Sequence, residues 1–165
     1  MKLNVNKIAL FITSVLTLTS CGNKSLIEEE RTFNSNVWNR FTPEVFTVNV
    51  NNIEDYYDID ITISVDTSIF RYEDMPLTVN LFSPNSERRM FYANVPLKLN
   101  GRWRGEVIDG YRTVTQHIRT YFSFNCKGEH RMEVGQATSQ YNLEGIHSMA
   151  LNIYKVDLDY PEAGN

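Results

Sequence analysis

The sequence predicts an all-β domain, an antiparallel β-sandwich of jelly-roll or immunoglobulin-like kind, with an up-and-down β-barrel as the alternative. Three observations carry this. From Tyr57 to Asp66 apolar residues hold every odd position and polar residues every even one, which is the period of a strand buried on one face. The same alternation recurs before it at Phe46, Val48 and Val50 and after it at Leu77, Val79 and Leu81. No segment keeps an amphipathic helical period over three turns, and Gly, Pro and Asn punctuate the apolar runs.

Taken in order, the chain opens with a signal. Lys2 and Lys7 precede an uncharged run from Ile8 to Leu18, the length of a signal-peptide core and too short to span a bilayer. Leu18-Thr19-Ser20-Cys21 follows: an aliphatic residue, two small ones and cysteine, the pattern at which a lipoprotein signal peptidase cuts. Residues 1–20 are thus expected to be removed, with Cys21 as the lipid attachment site and membrane lipid as its first partner. Several acyl chains hold stably where one holds marginally, because each buried methylene contributes about 0.8 kcal/mol. Gly22 stands where an aspartate would signal inner-membrane retention, so the expected place is the cell envelope at the outer membrane, on either its periplasmic or its surface face.

Residues 21–32 are polar and acidic, with Glu28-Glu29-Glu30, and read as a lipidated flexible tether. Residues 33–156 read as the single sandwich domain, with order beginning near Phe33. Pro76 can start the third strand but not sit inside it. Further strands are expected over Met90 to Val95, Val114 to Phe124, His130 to Gln136 and Met149 to Val156, with a turn from Gly101 to Gly105 around Trp103. Residues 157–165 read as a polar tail that frays.

The formal charge is −4, and excising residues 1–20 takes away two lysines and no acid. Such an acidic surface argues against nucleic acid as a partner. Beyond Cys21 the one further cysteine is Cys126, so no disulfide framework exists, and Cys126 reads as a turn-adjacent free thiol with no base established beside it.

The chemistry-bearing residues form no catalytic motif. A nucleophile elbow, a phosphate-cradling loop, a zinc-type histidine pair and a dinucleotide fingerprint are all missing from the sequence, so no catalytic residue and no cofactor is assigned. His117, His130 and His147 fall in three separate segments, where a metal site wants a close pair plus a distant ligand. Asp58, Asp60 and Asp66 share one strand face, whereas calcium takes its oxygens from a curled loop. Trp38 with Arg40, and Trp103 with Arg104, pair a large aromatic with a cation. They are the candidate contacts for a partner protein or a glycan, though large aromatics with a polar handle more often plug the ends of a sandwich, which is the favoured reading.

In succession come the Cys21 lipobox, Phe33 and Trp38, Ile59 to Ile63, and Leu97-Lys98-Leu99-Asn100-Gly101-Arg102-Trp103-Arg104-Gly105. Then follow Gly128 to Ala137, and Leu143-Glu144-Gly145-Ile146 running into Ala150 to Lys155. This order resembles the gliding motility lipoprotein family GldH across nearly the whole mature domain. The chain departs from the family pattern at Ala137-Thr138-Ser139 after Gln136, where a methionine and an arginine are usual, and at Met75-Pro76-Leu77. The resemblance implies a cell-envelope accessory of surface gliding and of type IX secretion, with gliding or secretion proteins as partners, no enzymatic activity and no catalytic residues to carry over. The alternative function is a surface lipoprotein that captures glycans through exposed tryptophans.

Overall fold

The structure is a computed structural model and describes residues 25–158. These residues form strands joined by turns, with one short 3-10 turn at Asn34–Asn36 and no α-helix among them. The strands are β1 (Ser25–Thr32), β2 (Val37–Asn39), β3 (Glu44–Val50), β4 (Tyr56–Val65), β5 (Asp74–Phe82) and β6 (Arg88–Pro96). After these come β7 (Lys98–Leu99), β8 (Arg102–Trp103), β9 (Glu106–Ile108), β10 (Tyr111–Phe122), β11 (Gly128–Gln136), β12 (Asn142–Glu144) and β13 (Ile146–Val156).

A five-stranded sheet in the order β1-β13-β4-β10-β9 packs against a four-stranded sheet in the order β3-β11-β5-β6. Two small ribbons, β2 with β12 and β7 with β8, lie outside them. This is the expected all-β sandwich. The barrel alternative fails because the two main sheets stay separate and their neighbours are mostly not consecutive in sequence.

The alternation expected for β4 is what builds the core. Ile59, Ile61 and Ile63 point inward from one sheet, and Phe46, Val48, Leu77, Val79, Leu81, Met132 and Val134 meet them from the other. Each such side chain contributes about 1.5–3 kcal/mol by leaving water. The opposite, wet face of β4 carries Asp58, Asp60 and Thr62.

Three expectations are corrected. Residues 25–32 are not tether: they form β1, which pairs antiparallel along β13 and turns Ile27 into the core, so order begins at Ser25 and not Phe33. Cys21 and residues 1–20 lie outside the described residues, as do residues 159–165 of the tail. Pro76 sits as the third residue of β5 and not its first. Its carbonyl accepts from the Ala137 N–H at 2.9 Å, just beyond Gln136–Leu77, the last pair of the β5–β11 ladder, so its missing N–H falls where that ladder has stopped. Finally, Asp66 lies past the end of β4, where its Oδ1 accepts from the Ser68 N–H at 2.9 Å and the Ser68 hydroxyl at 2.6 Å.

The turn at Gly101 shows why the sequence bends there. Asn100 and Gly101 both have left-handed backbones, φ 51° and 73°, the geometry of a two-residue hairpin turn. Gly105 (φ +66°) closes the motif, and a Cβ there would collide with the backbone carbonyl of Thr113.

The register fixes two ends of the sandwich. One end holds Ser25, Val156, the β3–β4 loop, the β5–β6 loop and the β10–β11 loop, since Ser25 pairs with Tyr154, Tyr56 with Val156 and Val50 with Gly128. The other end holds the β2–β3 loop, the β4–β5 loop, the β7–β8 hairpin and β12, since Thr32 pairs with Ser148 and Val65 with Ile146.

Candidate functional site

The two tryptophan pairs do not form one site. Trp38 is only 1% exposed, stacks on Phe33 at 4.8 Å and donates from Nε1 to the Thr42 carbonyl at 3.1 Å. A ring so buried cannot meet a sugar, so Trp38 is a plug beneath the β2–β12 ribbon and not a contact residue. Arg40 is exposed beside it, its backbone N–H bonded to the Tyr141 carbonyl at 2.7 Å. Trp103 is half-buried: the Lys98 ammonium lies 4.4 Å from its ring centre and Phe70 lies 6.5 Å away. Arg104 turns inward, donating to the Pro96 carbonyl at 2.7 Å and to Gln116 Oε1 at 3.1 Å, which pins the hairpin to β10.

Cys126 has a histidine beside it after all. His130, fully buried on the core face of β11, puts Nε2 at 4.0 Å from the thiol sulfur. That nitrogen, however, donates to the Cys126 carbonyl at 2.9 Å, so it carries its proton and cannot take one from sulfur. Its other nitrogen, Nδ1, is buried without a partner, and Phe124 packs edge-on against the ring at 4.8 Å. The arrangement is a core histidine closing the β10–β11 turn.

On the wet face of the five-stranded sheet, His117 Nδ1 donates to Asp60 at 2.7 Å, while Nε2 lies 3.1 Å from the Thr120 hydroxyl and 3.6 Å from Asp58. Asp58 also accepts the Tyr121 N–H at 2.9 Å. Hydroxyl, imidazole and carboxylate in line have the outline of a nucleophilic triad. The imidazole is 38% exposed and the Asp60 and Asp58 carboxylates 20% and 16%, so the group sits half-open on the sheet face. It ties β4 to the bulged end of β10, where the pairing register shifts between His117 and Arg119. Burial, with Asp60 and Asp58 close by, pushes the neighbouring Tyr154 phenol above its ordinary range. His147 is separate again, stacked on Tyr111 at 3.6 Å between ring centres. Among the described residues no three His, Cys, Asp or Glu side chains converge as metal ligands.

What the sequence reading missed is a set of apolar loop residues at the end of the sandwich away from Ser25. Phe41 is 71% exposed and Tyr141 66%, and their rings touch at 5.6 Å. At the same end a cavity of about 290 Å³, lined by Ile69, Arg71, Tyr72, Gln140, Asn142 and Glu144 among others, lies between the β4–β5 loop and β12. Leu99, 65% exposed, stands on the β7–β8 hairpin of the same end, whose Lys98 Nζ donates to the Arg71 carbonyl at 3.4 Å. The available signal was aromatic residues in polar turns, off the strand alternation.

Fold and surface together define an all-β sandwich with a filled core and exposed apolar side chains on the loops of one end. The chain matches the sequence profile of the GldH lipoprotein family over residues 25–153, and it belongs to that family. No curated protein matches it. No helix among the described residues is long and apolar enough to cross a membrane.

Proposed function

We propose that this protein is a lipid-anchored, non-enzymatic accessory of gliding motility and of the associated type IX secretion machinery, acylated on Cys21 and held at the outer membrane. The observation that carries the reading is the family match, which starts at residue 25, four residues beyond the Leu18-Thr19-Ser20-Cys21 lipobox. A domain confined to a membrane surface meets membrane-bound partners at a raised effective concentration, so position supplies what chemistry does not. The inert setting of Cys126 favours a binding role over a catalytic one.

Two measurements test it. Deletion of the gene abolishes spreading and the secretion of large adhesins; unchanged spreading overturns the reading. Cys21→Ala leaves an unlipidated precursor, so metabolic labelling with an alkyne fatty acid is lost, and label persisting in that variant refutes the anchor.

A further inference from the structure

Strand β13 breaks its alternation at one point, and the break shapes the outer face of the five-stranded sheet. Its register against β4 shifts between Ile146 and Ser148, a bulge that brings His147 and Ser148 together over that face. The pairing sets Ser148 between Thr32 of β1 and Ser64 of β4, with Thr113 of β10 on the far side of Ser64. Ser64, Ser148 and Ala150 are small, so they leave a floor rather than a ridge. At one end the Tyr111 and His147 rings stack face to face across the end of β4, 3.6 Å between centres and 4° from parallel. The cavity so enclosed measures about 350 Å³, and small-molecule sites hold roughly 300–1,000 Å³.

The fold leaves hydrogen-bonding capacity unspent around this cavity. Ser148 is 2% exposed, and its hydroxyl enters none of the side-chain hydrogen bonds among the described residues. A hydroxyl so deep needs its partner from the cavity side. His147 Nδ1 donates to Asn36 Oδ1 at 3.1 Å, which makes Nε2 of the neutral ring an acceptor. The Ser64 and Thr113 hydroxyls lie 2.9 Å apart: one donates to the other, and the second keeps its own proton for a third group. Glu30 and Asp109 add carboxylate oxygens, and neither lysine nor arginine is among the lining residues. Such a lining selects a compact molecule with several hydroxyls and no negative charge, whose carbon face lies against Ala150 and Ile108. A peptide could not add here as a strand, because β4 and β13 are interior strands paired on both sides. We infer that this face of the sheet is a binding site for one ring of a neutral sugar. The site uses neither Trp38 nor Trp103, and it stands or falls independently of the proposed role in gliding.

The test uses the full-length protein in a zwitterionic detergent that carries no sugar. Methyl glycosides of glucose, galactose and mannose are titrated against it, with glucuronic acid as the anionic control, and binding is read by saturation-transfer NMR on the sugar protons. At least one neutral glycoside should bind, and glucuronic acid should bind at least tenfold more weakly. Ser148→Ala removes one oxygen and should weaken binding about five- to tenfold, the scale of one hydrogen bond. Ala150→Phe fills the floor and should abolish it, with the parent's thermal melt kept because the position faces outward. Should Ala150→Phe lower the melt, Ser148→Ala decides alone. Trp103→Ala should leave binding unchanged. A folded parent that binds no neutral glycoside, equal binding of glucuronic acid, or full binding by Ser148→Ala each overturns the site. Loss of binding in Trp103→Ala with none in Ser148→Ala moves the sugar to the β7–β8 hairpin and overturns it as well.

Discussion

Trp38 shows how a single side chain can change its meaning once its surroundings are known. Its indole is sandwiched against Phe33 and its one donor is spent on the Thr42 carbonyl, so both its apolar and its polar parts serve the fold. Trp38→Ala should cost about 3–5 kcal/mol in urea denaturation, as deleting a buried aromatic does. Trp38→Phe keeps most of the stack and leaves the Thr42 carbonyl unpaired, and should cost about 1–3 kcal/mol. If the two variants proved equally and mildly destabilised, the plug assignment would fail. Asp66 is the opposite case, an exposed group whose ionisation the fold sets. The Ser68 hydroxyl and then the Ser68 N–H, both donating to its carboxylate, hold its pKa below the usual carboxylate range. A depressed folded pKa means its stabilisation is fully present above the unfolded value near 3.8 and is lost as pH falls through the folded one. Ser68→Ala removes the larger cause, so Asp66 should titrate at higher pH in a carboxyl-carbon NMR titration. An unmoved titration curve would show that the hydroxyl does not hold the charge.

Among the elements, β1 carries the clearest lesson. Its Ser-Leu-Ile-Glu-Glu-Glu-Arg-Thr sequence turns one side chain, Ile27, fully into the core and leaves its charges along an exposed sheet edge, so locally it reads as a tether. The strand exists because β13, more than a hundred residues away, offers it an unpaired edge. A protein beginning at Ser25 should melt on the order of 10 °C above one beginning at Phe33, since the shorter chain exposes the Met149–Tyr154 edge and loses Ile27 burial. Coincident melts would restore residues 25–32 to the tether. Strands β3, β4, β5 and β11 were legible in the sequence because each buries one face and wets the other, which imposes a strict period of two. The ribbons β2–β12 and β7–β8 are too short for any period to register, and their pairing spans loops that only the fold brings together. In β13 the buried Ser148 breaks the apolar pattern, and the strand starts at Ile146, three residues before the sequence signal. The same limit applies to function. Sequence identified Trp38, Arg40, Trp103 and Arg104 by type, but burial, which separates a plug from a contact, depends on long-range packing. Phe41 and Tyr141 are far apart in sequence and become a patch only when β2 pairs with β12.

With Cys21 acylated as proposed, four residues before β1, the orientation of the domain on a bilayer is measurable. With Cys126→Ser removing the half-buried thiol, a dye can be placed through Ser86→Cys in the β5–β6 loop or Ser139→Cys between β11 and β12. The first site lies at the Ser25 end and the second about a strand length, roughly 34 Å, away. In vesicles that carry a headgroup quencher, the acylated protein should be strongly quenched at position 86 and nearly unquenched at 139. A flexible Gly-Ser insertion of about 20 residues between Cys21 and Ser25 extends the tether's typical span to about 25 Å, enough for the domain to tumble. The two positions should then approach one another in quenching while the thermal melt stays the same, because the insertion lies outside the sandwich. Equal quenching at both positions without the insertion would mean that the domain lies flat on the bilayer, and the short reach from Cys21 to β1 would then not set its orientation.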